Sequence, residues 1–100
     1  MPKRPTSLPS TLGPVEVRYV DKIINDNGKV ENAMGFVSFK DRVIQILNNM
    51  NQIAESHTLR HEWVHLVLWD SGADNLLTEK QAEVICDALA TALISTPFPK

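Results

Sequence analysis

Cysteine is almost absent. Cys86 stands alone, so no intrachain disulfide can staple the fold, and a lone thiol suits a reducing compartment. No apolar run is long enough to span a bilayer. The basic opening, Met1-Pro2-Lys3-Arg4-Pro5, lacks the apolar stretch that follows it in a secretory signal. Neither sign of charge prevails. Ten Lys and Arg against twelve Asp and Glu leave a formal charge of −2, which gives no electrostatic footprint for nucleic acid. Internal repeats are missing too. These absences predict a cytoplasmic protein with neither membrane nor nucleic-acid partner.

What is present is a chain of 100 residues, 43% of them apolar. That is one small domain with a modest core. A ligand selective for the folded state, such as a metal, would stabilise it. Residues 1–13 are rich in Pro, Ser and Thr and have little to bury, so a loose tail is expected there. Residues 14–96 are expected to form the single domain.

The domain reads as α+β. Val15, Val17 and Tyr19 alternate with Glu16 and Arg18, the pattern of a half-buried strand. Residues 35–39 and 43–47 are two more strand candidates, rich in β-branched and aromatic side chains. The short polar stretch Lys40-Asp41-Arg42 between them suits a hairpin. A three-stranded antiparallel sheet is therefore predicted. Residues 21–33 read as a connection, with turn chemistry at Asn25-Asp26-Asn27-Gly28.

From about residue 51 the apolar period becomes helical, and a first helix is predicted over 51–70, ending near Gly72. Residues 73–77 form a short loop. Thr78-Glu79-Lys80-Gln81 is a capping box that opens a second helix over about 79–95. Its expected buried stripe is Ala82, Ile85, Leu89, Ala92 and Leu93.

The first helix carries His61-Glu62-Trp63-Val64-His65. Residues four apart share one helix face, so His61 and His65 can aim two imidazoles at one point. Glu62, about 100° round the helix, can reach a water held there. His-Glu-x-x-His is the pattern of zinc peptidases, with two ligands and a general base. A catalytic zinc needs a third protein ligand. Asp70, Asp74, Glu79, Glu83 and Asp87 all follow the motif. Asp70 lies more than a turn beyond His65 on the same helix. Asp74 suits a turn, and Glu79 suits the positive end of the second helix. Glu83, one turn into that helix, is the better choice if the two helices pack antiparallel. Asp87, four residues on, can hold the non-ligating nitrogen of a histidine. His57 shares the histidine stripe and reads as cleft edge or surface. Trp63 and Trp69 read as core or interface anchors, and Cys86 as a buried thiol.

His61-Glu62-x-x-His65 followed by Glu83-x-x-x-Asp87 resembles the gluzincin arrangement of metallopeptidases. With the hairpin led by Gly35 and the stretch Thr58-Leu59-Arg60 before the motif, residues 14–95 resemble the small single-domain metallopeptidases of phages and prophages, minimal relatives of the ImmA/IrrE-type proteins. The resemblance implies that His61, His65 and Glu83 ligate Zn2+, that Glu62 is the general base and that Asp87 orients a histidine. It also implies a peptide or protein substrate and a bacterial host cytoplasm. Arg60 departs from the pattern, where an apolar residue is expected.

In such a site the metal acidifies a water and polarises the scissile carbonyl, while Glu62 takes the proton and hands it to the leaving amine. A peptide can pair with a sheet strand beside the cleft, and residues 43–47 are the expected strand. The sequence offers no evident oxyanion donor, since its one tyrosine is Tyr19. A zinc-stabilised binding or regulatory module, antirepressor-like, is the alternative reading.

Overall fold

A computed structural model describes residues 4–99. Six strands and two helices follow in order: β1 (Ser7–Leu8), β2 (Val15–Val20), β3 (Ile23–Ile24), β4 (Val30–Glu31), β5 (Gly35–Ser38), β6 (Val43–Leu47), α1 (Gln52–Asp70) and α2 (Glu79–Ala92). A 3-10 turn, Ala73–Leu76, lies between the helices. The predicted α+β class and both predicted helices are present.

The sheet differs from the expected three-stranded antiparallel one. It has four strands in the order β1-β2-β6-β5 and is mixed. β5 and β6 form the predicted hairpin, paired Gly35↔Ile46 through Ser38↔Val43. β2, however, runs parallel to β6, from Glu16↔Val43 to Val20↔Leu47. Alternation reports which face a residue takes, not strand order or direction. The reversal comes from residues 21–33, which form a small β3–β4 hairpin instead of a plain connection. Gln45 clasps that hairpin from β6: its side-chain amide accepts from Ile24 N at 2.9 Å and donates to Ile24 O at 2.6 Å.

The expected loose tail is also corrected. Residues 1–3 lie outside the described residues, but β1 pairs antiparallel with β2 and Leu8 is buried in the core. The Arg4 guanidinium pairs with Glu55 at 2.7 Å and stacks over the Tyr19 ring. One fully buried leucine contributes about 1.5–3 kcal/mol, and the pairing with β2, the Arg4 contacts and the bonds of Pro9 O to Trp63 and of Ser10 to Asp70 add to it in holding the segment down.

The core lies between sheet and α1. Val15, Val17, Val37, Ile44 and Ile46 pack against Leu59 and Leu66. α1 begins where Asn51 accepts from Ala54 N at 2.9 Å and ends at Ser71, before Gly72 with φ 82°. The sheet covers one side of α1 and α2 covers another, so its apolar residues spread round the helix. α2 opens with the predicted capping box, Gln81 N to Thr78 Oγ1 at 3.1 Å and Thr78 N to Gln81 Oε1 at 2.9 Å. Its buried stripe meets the expected one at Ala82 and then departs from it. Ala82, Cys86 and Ala90 are buried, whereas Leu89 and Leu93 are exposed. Small side chains at four-residue spacing let α2 lie close against α1. Among the described residues, no helix is long and apolar enough to cross a membrane.

Candidate metal centre

The antiparallel α1–α2 pair sets two stripes face to face. Along α1 run His57, His61 and His65; along α2, in the opposite sense, run Thr91, Asp87 and Glu83. His65 Nε2 lies 2.9 Å from Glu83 Oε1, and His61 Nε2 lies 3.1 Å from Glu83 Oε2. The two imidazole Nε2 atoms are 3.2 Å apart. One ligand atom from each of His61, His65 and Glu83 falls within 4.8 Å of the others, and these three residues could hold a metal ion. Asp87 Oδ1 lies 2.8 Å from His61 Nδ1.

This donor set suits a cation. With its proton on Nδ1, His61 donates to Asp87 Oδ1 and turns the bare lone pair of Nε2 toward Glu83. That lone pair converges with His65 Nε2 and two carboxylate oxygens. Two imidazole nitrogens and two carboxylate oxygens that converge in this way can offer a cation their lone pairs.

Glu62 stands beside this point, on the side of α1 turned toward β5. Burial pushes its carboxyl up to about 7, His61 works against that shift, and the Glu83 charge adds to it. A carboxyl that titrates near neutrality can both take and return a proton there. Gly35 makes the close approach of β5 possible. A Cβ at that position would lie 2.7 Å from Thr58 Cγ2 and 3.2 Å from Glu62 Cγ.

The other acidic candidates are engaged elsewhere or stay apart. Asp70 is paired with Arg42, at 2.9 Å from Nη1 and 3.0 Å from Nη2, and accepts from Ser10 as well. Chiefly the Arg42 hydrogen bonds bring its carboxyl down to about 2, against the opposing effect of burial. Asp74 is in the 3-10 turn and Glu79 is exposed in the first turn of α2. Cys86 is buried, and that burial pushes its thiol up to about 12, which keeps it protonated.

Arg60, the departure from the expected pattern, serves packing. Its guanidinium is buried, donates to Ser56 Oγ and to Thr96 O, and stacks 3.9 Å from the Phe98 ring centroid. Trp63 donates to Pro9 O at 2.7 Å and Trp69 stacks on Phe39 at 4.6 Å. Tyr19 is half-buried and gives its hydroxyl to Pro5 O at 2.8 Å.

The strand beside the centre is corrected too. β6, the expected peptide-pairing strand, has β2 on one side and β5 on the other. β5 has the open edge. Leu47 N donates to Met34 O, and alternation of the antiparallel ladder then turns the backbone groups of Gly35 and Val37 away from β6. Gly35, beside Glu62, and Thr91, opposite His57, are the site residues that sequence reasoning missed. A glycine opening the strand that precedes the motif was the available signal for the first; Thr91 gave none. Comparison with protein-family models, with curated proteins and with solved structures returns no match.

Proposed function

We propose that the protein is a zinc-dependent peptidase. The observation that carries this reading is the convergence of His61, His65 and Glu83 on one point with the half-buried Glu62 beside it. Donors about 2 Å from a tetrahedral zinc stand about 3.3 Å apart, and the contacts among these groups run from 2.9 to 3.2 Å. Bound zinc supplies electrophilic polarisation of a carbonyl and an acidified water.

The chain's own residues do the rest. Asp87 holds His61 in one tautomer and orientation. An extended peptide adds to the open edge of β5, where Gly35 and Val37 offer outward N–H and C=O groups. This places the scissile bond next to Glu62. Glu62 takes a proton from the attacking water and delivers it to the departing amine.

The test is Glu62→Gln, which keeps the ligands and removes the base. Cleavage of a denatured casein or a random peptide pool is expected to fall by about 10²–10⁴-fold, with one zinc per chain retained by elemental analysis. A second reading has a specific observation behind it. Tyr19, the one tyrosine, is committed to Pro5 O, so no tyrosine is left to stabilise an oxyanion. That favours a zinc-stabilised binding module, for which there is no cleavage for Glu62→Gln to remove. A protein that takes up no zinc even when it is supplied rules out both readings.

A further inference from the structure

The α1–α2 seam carries a third rung that the metal centre does not use. One turn before His61, His57 Nε2 lies 3.3 Å from Thr91 Oγ1. Beyond this rung opens a groove of about 800 Å³. Met34, Ile53, Ala54 and Ile94 give it apolar walls, and His57 and Thr91 bring hydrogen-bonding groups to it. Met34 directly precedes Gly35, so the groove opens at the start of the β5 edge.

We propose that His57, held by Thr91, contacts substrate at the residue next to the cleaved bond and selects a side chain with an apolar body and a hydroxyl tip, tyrosine foremost. The inference rests on the peptidase reading and deepens it. Side chains one helical turn apart sit about 5–6 Å apart at Cβ; one residue of extended peptide covers about 3.3 Å of that, and a long side chain leaning along the strand spans the rest. A peptide with its carbonyl at the metal centre therefore brings its neighbouring residue over His57. The apolar walls favour a large hydrophobic body and penalise a short polar side chain that would lose its water. With Nε2 turned to Thr91, Nδ1 is left for the substrate. A hydroxyl both donates and accepts, so it satisfies either tautomer of His57.

The test uses zinc-loaded full-length protein and two hydroxamates that differ only in a benzyl or a 4-hydroxybenzyl group beside the metal-binding end. Binding is read by titration calorimetry, so turnover is not needed. The hydroxybenzyl compound is expected to bind about five-fold tighter, the worth of one net hydrogen bond. His57→Leu should bring the ratio to about one, and His57→Gln, which can still hydrogen-bond, should restore part of it. Equal binding by the wild-type protein, or a preference that survives in His57→Leu, overturns this proposal and leaves the metal centre standing. If neither hydroxamate binds, the peptidase reading falls and takes this proposal with it.

Discussion

Asp87 Oδ1 lies 2.8 Å from His61 Nδ1, and that contact decides which nitrogen of His61 faces Glu83. Without it the imidazole is free to rotate or to present a proton to the metal. Asp87→Ala is expected to weaken zinc binding by about 10–100-fold. Asp87→Asn, whose carbonyl oxygen still accepts, should lose less. Competition against a chromogenic chelator measures both, and wild-type affinity in Asp87→Ala would remove Asp87 from the site.

Glu62 makes the metal-free protein sensitive to base. Its folded pKa of about 7 lies above the ordinary 4.5, so the native state holds a proton that the unfolded state has already released. Stability then falls as pH rises from about 4.5 to 7, by on the order of 3 kcal/mol. Urea unfolding in chelator at pH 5 and pH 8 should show that loss, and Glu62→Gln should flatten it. A variant with the same pH profile as wild type would contradict this.

The Arg42–Asp70 pair acts in the opposite direction and at lower pH. The Asp70 carboxyl, with a folded pKa of about 2 against an ordinary 3.8, contributes stability above about pH 4 that is lost as pH falls through 2. The amount is about 2 kcal/mol. Asp70→Asn should erase that acid limb and leave the Arg42 guanidinium short of its partner. Acid titrations followed by circular dichroism would check it, and an unshifted acid midpoint would argue against the pair.

Gly35→Ala tests the approach of β5 to α1. Thr58 Cγ2 stands 2.7 Å from where the new methyl would be, and Thr58 is a β-branched helix residue that cannot swing aside freely. Overpacking of this kind costs about 1–3 kcal/mol. Peptidase activity should fall further than stability does, because β5 moves away from Glu62. Unfolding and kcat/KM measured together separate the two effects.

The convergence of His61, His65 and Glu83, with Asp87 on His61, was legible because helical spacing is a local rule. The i,i+4 geometry places side chains on one face whatever surrounds the helix, and a capping box at Thr78 marks where the next helix starts. The antiparallel return then follows from a short loop. Sheet order was not legible. Nothing in Val15, Val17 and Tyr19 says whether β6 runs with or against them, and the intervening feature is a hairpin from Ile23 to Glu31 whose strands are only two residues each. α2 misled for a related reason. Ala82 belongs to the expected stripe, but Ile85, Leu89 and Leu93 drew that stripe toward large apolar residues, whereas closeness to α1 demands small ones and continues it through Cys86 and Ala90. Leu8 escaped notice because one buried residue among prolines and serines leaves no periodic trace.

Arg60 and Trp63 tie both ends of the chain to the helix that carries the histidines. Trp63 takes the carbonyl of Pro9 from one end, and Arg60 takes Thr96 O and the Phe98 ring from the other. Whoever trims this protein to its helices and sheet in search of a minimal core would strip Trp63 of the Pro9 carbonyl and Arg60 of Thr96 O and the Phe98 ring. A reporter fused behind residue 93 in place of the native segment would take the second set of contacts from Arg60. The short ends behave as two straps on one buckle, so engineering at either terminus is engineering of the histidine helix itself.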